Sequence, residues 1–268
     1  MYKLTFSIVL FLNLLVITSC EHNIVEPPEP TNEKGSLKVE MKHFFGDETL
    51  ILNEGAYKTA FGEDVSVTTF MYYLSNFQLK RSDGTLYTYP QDSSYFLIRS
   101  HIPDTKDFNL KEIPAGDYTE LSFIIGVDSA RTCTDVSKHY GVLDPAKAEG
   151  MVWDWNTGYI FVKLEGNCQQ VNNTSPVNYR YHIAGFGGCN PLSPTRNNIK
   201  KVTIPFNQTV KVQPSTTPEI HLKADVAKFF GGVTNWEIAK APNIMNLAKE
   251  SATLADNYAT MFSLKEIH

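Results

Sequence analysis

The chain has 268 residues, of which 42% are hydrophobic and 12% aromatic, enough for one sizeable β domain or two small ones. Its net charge is −5, and it contains no run of five or more Lys or Arg residues. We therefore expect no nucleic acid among its partners.

The first nineteen residues have the pattern of an export signal. Lys3 supplies a positive start, Phe6 to Ile17 is apolar, and small residues precede Cys20. The apolar run is too short for a membrane span, so residues 1–19 are predicted to be a signal peptide. Cys20 resembles the lipid-modified cysteine of bacterial lipoproteins, which predicts a mature chain anchored by acyl groups on the outer membrane, on its periplasmic side or at the cell surface. Ordinary cleavage, giving a soluble secreted protein, is the alternative.

Residues 20–35 are polar and Pro-rich, which predicts a disordered tether. The folded domain is predicted to cover residues 36–268, because no linker-like stretch divides them. Leu37, Val39 and Met41 share one face of a first strand, with His43 at its end.

Short strands then follow at frequent intervals, separated by Gly, Pro and Asp turns. The strongest are Val65 to Leu79, Leu86 to Tyr89, Ser94 to Ile98, Tyr118 to Val127, Tyr159 to Leu164, Asn178 to Ile183, Lys200 to Val212 and Glu219 to Asp225. Residues 246–261 have helical spacing, and residues 262–268 could add a last strand. The pattern predicts an all-β fold, an immunoglobulin-like or jelly-roll-type β-sandwich with short helical decorations.

Two tryptophans stand one residue apart, Trp153 and Trp155, before a turn and the strand that starts at Tyr159. Rings of this size are usually core anchors, although they can also border a ligand site. In that strand Ile160, Val162 and Leu164 are predicted to share one face.

Three cysteines remain after Cys20, so one thiol would be left over in an oxidising compartment. We favour a disulfide between Cys168 and Cys189, which flank one loop and one strand. A Cys133–Cys168 bridge stays open.

Four histidines near strand ends are candidate metal ligands: His43, His182, His221 and His268. A single histidine on a strand is more often a satisfied surface or core residue than a ligand. Several imidazoles with few thiolates would suit copper or zinc. No nucleophile elbow, P-loop or metalloprotease motif is present, so no enzyme activity is expected.

Five segments in the same order make the chain resemble the MbnP-like copper-binding family. They are Tyr72–Leu79, Pro114–Tyr118, Gly126–Asp128, the Trp-x-Trp segment of Gly150–Tyr159, and Tyr181–Ile183. The resemblance implies an exported β-sandwich that handles copper. In characterised relatives, copper lies between histidines and a tryptophan that a di-haem peroxidase-like partner has oxidised to kynurenine.

The resemblance points first to His182 as a copper ligand and then to His43, with His221 and His268 matching a closer branch. A Trp-x-His triplet would be expected near His101, but the chain reads Arg99-Ser100-His101 there. Trp153 and Trp155 are therefore taken as structural. The expected function is copper capture or delivery by a lipid-anchored protein of the bacterial cell envelope. The alternative is an anchored structural or ligand-binding module without metal.

Overall fold

The protein is described by a computed structural model over residues 32–153, 158–169, 175–246 and 248–268. The predicted signal peptide, Cys20, most of the predicted tether and Trp155 lie outside these ranges. The strands are β1 (Lys34–Phe45), β2 (Glu48–Thr49), β3 (Tyr57–Lys58), β4 (Asp64–Arg81), β5 (Leu86–Thr88), β6 (Tyr95–Arg99), β7 (Asp107–Pro114), β8 (Gly116–Ile125), β9 (Ile160–Gln169), β10 (Val177–Ala184), β11 (Lys200–Val212), β12 (Glu219–Asp225), β13 (Asn243–Asn246) and β14 (Phe262–Ile267). The α-helices are α1 (Ser129–Thr132), α2 (Ala227–Gly231) and α3 (Ser251–Tyr258).

The larger sheet is built around β4, whose 18 residues are rich in the β-branched and aromatic side chains that favour strands. Its strand order is β11-β8-β4-β9-β10-β13. β8 and β9 pair with successive parts of β4 along one edge, while β3, β6 and β5 pair along the other. β10 and β13 extend this sheet on the side of β9.

The smaller sheet has the order β14-β12-β1-β2, with β7 also paired to β1. β1 and β12 are parallel, and their register places Glu40 opposite His221. β12 and β14 are antiparallel, and their register places His221 opposite Glu266. Residues from three distant parts of the sequence therefore meet in one row on the outer face of this sheet.

The main hydrophobic core lies between the two sheets, because alternate residues of each strand point inward. It includes Leu37, Val39 and Met41 of β1, Phe70, Tyr72 and Leu74 of β4, Tyr179, Tyr181 and Ile183 of β10, and Ile220 and Leu222 of β12. Each such side chain contributes roughly 1.5–3 kcal/mol when it is fully removed from water. This core confirms the all-β sandwich predicted from the alternation.

The outer face of the larger sheet is also covered. Met71 and Tyr73, which alternate with the inward residues of β4, belong to a second hydrophobic cluster. The chain between β8 and β9 supplies several of its other members, and the partly buried Trp153 packs against it. The Tyr73 hydroxyl donates to the Val142 carbonyl at 2.8 Å, and the Tyr159 hydroxyl donates to the Leu143 carbonyl at 2.6 Å.

The disulfide joins Cys133 to Cys189, so the predicted Cys168–Cys189 pair is wrong. Cys168 is buried as a free thiol on the same face of β9 as Val162 and Leu164, facing the core between the sheets. Burial and the nearby Glu63 raise the pKa of this thiol to about 12. Cys133 and Cys189 instead lie in two chain segments outside the strands, with Cα atoms 5.5 Å apart.

Two local predictions also differ from the structure. Ile160 does not share the inward face of Val162 and Leu164, because a register shift between β9 and β10 turns it into the second cluster. The predicted helix over 246–261 is shorter, since residues 243–246 form β13 and α3 starts at Ser251. No helix in the described part of the chain is long and apolar enough to cross a membrane.

Candidate metal centre

Two histidines approach each other on the outer face of the smaller sheet. His221 alternates with the buried Ile220 and Leu222 of β12, so its ring faces outward. His268 directly follows β14, the neighbouring strand. The two ring centroids are 4.7 Å apart. Of the four candidate histidines, this is the pair that the fold brings together.

Three glutamates surround His221. Its Nε2 atom lies 3.0 Å from Glu40 Oε2 and 3.0 Å from Glu219 Oε1. Its Nδ1 atom lies 3.0 Å from Glu266 Oε1. Glu266 also reaches His268, with 3.7 Å between Oε2 and Nε2. His221 therefore contacts one set of residues through Nδ1 and another through Nε2. We name the first set the His268 group (His221, Glu266, His268) and the second set the Glu40 group (Glu40, Glu219, His221).

Lysines balance the charge of these carboxylates. Lys38 pairs with Glu219 at 2.9 Å, Lys265 pairs with Glu266 at 3.0 Å, and Lys42 pairs with Glu40. The hydrogen bonds from His221 and Lys265 lower the pKa of Glu266 to about 2. The hydrogen bond from Lys38, followed by that from His221, lowers the pKa of Glu219. Both carboxylates are therefore ionised at neutral pH and available as acceptors or ligands.

Either group could hold a metal ion, because one ligand atom from each residue lies within 4.8 Å of the others. The His268 group offers two nitrogens and one carboxylate oxygen, while the Glu40 group offers one nitrogen and two oxygens. Nitrogen and oxygen donors of this kind suit a divalent copper or zinc ion. The same contacts also form a complete ion-pair network if His221 carries a proton instead of a metal.

His182 lies apart from this pair, on the outer face of the larger sheet. It alternates with the inward Tyr181 and Ile183, yet only 8% of the residue is exposed because the second cluster covers this face. Its Nε2 atom lies 2.6 Å from Glu165 Oε1, and the ring centroid lies 6.5 Å from that of Trp153. Burial lowers the pKa of His182, and the bond to Glu165 opposes that shift.

Glu165 holds the His182 ring in place and is itself anchored. The Thr69 hydroxyl donates to Glu165 Oε2 at 3.1 Å. Burial alone would raise the pKa of Glu165, but the bond from His182 and the charge of Lys163 outweigh it and lower the pKa. Among the described residues, the Nδ1 atom of His182 is buried and has no hydrogen-bond partner.

His43 is an internal hydrogen-bonding residue. Its Nε2 lies 2.9 Å from the Tyr72 hydroxyl and its Nδ1 lies 2.9 Å from the Ser100 hydroxyl. Burial, with a smaller contribution from Lys106, lowers the pKa of His43 to about 3. The ring is therefore neutral, and both its nitrogens are already occupied. It borders a cavity of about 500 Å³ that His101 and Lys106 also line.

The end of β6, where the resemblance would place a tryptophan, holds an ion pair instead. Arg99 Nε lies 3.1 Å from Glu149 Oε1, and His101 Nε2 lies 3.6 Å from Glu149 Oε2. His139 is elsewhere, with its Nε2 atom 3.1 Å from the Arg131 carbonyl oxygen.

The glutamates around the histidines were missed at the level of sequence, although a signal exists. Residues 219–221 and 266–268 both read Glu-Ile-His, and in a strand the first and third residues of such a triplet share one face. Two identical outward Glu/His faces on strands that could pair would have indicated the cluster. Glu165 carried no comparable signal, because its contact with His182 depends on the register of β9 and β10.

Comparisons with known proteins identify the fold over most of the chain. The solved structure described as MbnP from Methylosinus trichosporium is similar over 74% of this chain and 78% of its own, with a TM-score of 0.52 and 15% sequence identity. A comparison with curated proteins gave no match. The MbnP family model matches residues 34–246, from the first strand to the end of β13. That match covers most of the chain, which therefore belongs to the MbnP family.

Proposed function

We propose that this protein is an exported, lipid-anchored copper-binding protein that captures or delivers the metal without catalysing a reaction. Membership of a copper-associated family supports the choice of metal. The observation that carries the proposal is the pair of imidazoles of His221 and His268, 4.7 Å apart beside the ionised Glu266 carboxylate.

The His268 group is the better ligand set for copper. Copper(II) stands above zinc in the affinity order of nitrogen and oxygen sites, and two imidazoles bind it more tightly than one. The Glu40 group has one imidazole, and its carboxylates are engaged by Lys38 and Lys42. We therefore assign His221, His268 and Glu266 as the copper ligands. The ammonium group of Lys265 partly balances the negative charge of Glu266.

Anchoring and partnership belong to the same proposal. A signal peptide over residues 1–19 and acylation of Cys20 would hold the domain at the surface of the outer membrane. A di-haem peroxidase-like protein is a candidate partner on the strength of the resemblance. We do not extend the proposal to tryptophan oxidation, because Arg99 occupies the expected position and is paired with Glu149.

Metal analysis tests this function. Protein purified from a copper-supplemented host should retain copper, and competition with a chelator should give an affinity tighter than micromolar. His221→Asn should weaken Cu(II) binding by at least about 10-fold, since loss of an outer-shell partner alone costs that much. His101→Asn, at an exposed histidine outside the cluster, is the matched control. Micromolar or weaker binding by the wild type, or equal binding by His221→Asn, would reject the proposal.

A metal-free ligand-binding module is the second candidate. The cavity of about 500 Å³ beside His43 supports it, since Lys106 lines it together with the paired Lys42 and Glu40. Two measurements, the copper content and the effect of copper on the melting temperature, separate the two candidates. A protein that contains no copper after growth in copper-rich medium, and whose melting temperature does not change when copper is added, would favour the module.

A further inference from the structure

We propose that His182 and Met245 form a second metal site, selective for Cu(I), on the outer face of the larger sheet. The site deepens the proposed copper function, on which it rests, because it assigns different oxidation states to two places in the fold. His221 and His268 would take Cu(II) through nitrogen and oxygen donors, while His182 and Met245 would take Cu(I) through nitrogen and sulfur.

The ring of His182 is already arranged as that of a metal-binding histidine. Its Nε2 is held by Glu165 Oε1 at 2.6 Å, and Glu165 is held in turn by Thr69. Histidines that bind metals commonly donate one ring N–H to a carboxylate in this way, which fixes the tautomer and leaves the other nitrogen as the ligand. That other nitrogen, Nδ1 of His182, is buried and has no hydrogen-bond partner among the described residues. A buried, unsatisfied acceptor is unfavourable unless a further group binds it.

Met245 is placed on the correct side of His182. β10 and β13 are parallel, and their register pairs His182 with Met245, so both side chains leave the same face of the sheet. β13 flanks β10 on the side opposite to β9, which carries Glu165. The two nitrogens of an imidazole point in nearly opposite directions, so Nδ1 of His182 points away from Glu165. Neighbouring strands lie about 4.8 Å apart, a span that the flexible thioether of Met245 can cross.

The exposure of Met245 is unusual for this residue type. It is 45% exposed on the outermost strand of the larger sheet, where it adds apolar surface without filling the core. Met71, in the same row across the sheet, is by contrast buried in the second cluster. A role as a ligand accounts for an accessible thioether beside a histidine with a free nitrogen.

The charges around His182 favour a monovalent ion. Lys163 and Arg180 are close enough to act electrostatically on the ring, and Glu165 is the carboxylate bound to it. Two cations against one anion disfavour a divalent metal more than a monovalent one. The thioether of Met245 is a soft donor that selects Cu(I), and the imidazole of His182 also suits copper.

Competition with a Cu(I)-specific chelator under anaerobic conditions tests the inference on the full chain. All variants carry Cys168→Ala, so that the free thiol cannot supply the sulfur. Met245→Leu should weaken Cu(I) binding by at least about 10-fold and leave Cu(II) binding unchanged, and Glu165→Gln should weaken Cu(I) binding by about 10-fold through the orientation of His182. Met261→Leu, at a buried methionine away from the site, is the matched control.

A second measurement identifies the sulfur directly. In protein labelled at the methionine ε-methyl groups, Ag(I), used as a stable substitute for Cu(I), should shift the signal of Met245 and leave those of the buried Met41 and Met261 in place. Equal Cu(I) binding by Met245→Leu, or an unshifted Met245 signal, would overturn the site. Loss of the Cu(I) site with Cu(II) binding intact at His221 would leave the proposed function standing, whereas absence of binding in both oxidation states would remove both.

Discussion

His221 and His268 each follow a glutamate by two residues, and their rings lie 4.7 Å apart on neighbouring strands. The antiparallel register of β12 and β14 sets His221 against Glu266, the glutamate that precedes His268. Two copies of one short sequence, far apart in the chain, thus build one cluster because each strand turns its glutamate and histidine to the same face.

The first prediction separates the two metal-binding groups that share His221. His268→Asn removes one imidazole from the His268 group, so the Cu(II) electron paramagnetic resonance spectrum should lose the coupling to one of two ring nitrogens. Glu40→Gln alters only the Glu40 group and should leave that coupling unchanged. The reverse pattern, with the spectrum altered by Glu40→Gln and not by His268→Asn, would place copper in the Glu40 group.

The second prediction concerns the disulfide that ties the chain between β8 and β9 to the loop after β10. Cys133 and Cys189 are 56 residues apart, and closing a loop of that length is expected to stabilise the fold by about 3–4 kcal/mol. Replacing both by Ala should lower the free energy of unfolding by this amount in guanidinium titrations. Val136→Ala, at an exposed side chain close to Cys133 in sequence, leaves the bridge intact and is the comparison; an effect of the double substitution as small as that of Val136→Ala would show that the bridge adds little.

Much of the sandwich could be predicted, since alternation within one strand is local information. The face shared by Leu37, Val39 and Met41 and the strand Glu219–Asp225 are confirmed. These features depend on neighbouring residues in the sequence, so no knowledge of strand pairing was needed.

The parts that could not be predicted depend on pairing between distant segments. The burial of His182 results from the chain between β8 and β9, which folds over the outer face of the larger sheet. The preference for Cys168 over Cys133 failed for the same reason, because Cys168 faces the core between the sheets. β13, which carries Met245, is only four residues long, and its pairing with β10 defines it as a strand.

The third prediction concerns Glu63, a carboxylate that is 1% exposed and joins two distant loops. Its Oε2 accepts from the Ile238 amide at 3.1 Å and its Oε1 accepts from the Ala239 amide at 3.0 Å. Glu63→Ala leaves these buried donors unsatisfied and should lower the free energy of unfolding by about 1–3 kcal/mol for each lost partner. Glu54→Ala, at an exposed carboxylate, should change it little, and equal effects of the two substitutions would show that the bonds of Glu63 are not needed.

The fourth prediction is a pH dependence of stability that comes from His43. Its pKa is about 3 in the folded protein, chiefly because of burial, against an ordinary value of 6.5 when unfolded. Above pH 6.5 the ring is neutral in both states, so it does not contribute to the pH dependence of the free energy of unfolding. Between pH 6.5 and 3 the unfolded chain binds one more proton, so the free energy of unfolding falls by up to about 1.4 kcal/mol per pH unit. Below pH 3 both states are protonated and this contribution becomes constant.

Denaturant titrations at several pH values measure that slope. His43→Asn removes the titrating ring, so its free energy of unfolding should fall less steeply between pH 6 and 4, by about 1.4 kcal/mol per unit. The variant should also be less stable at pH 8, because the buried Tyr72 hydroxyl loses its partner. Leu86→Ala, at an exposed side chain that does not titrate, should retain the wild-type slope. If His43→Asn keeps that slope as well, the imidazole must take up a proton in the folded state, and its enclosure between Tyr72 and Ser100 would not exclude the charged form.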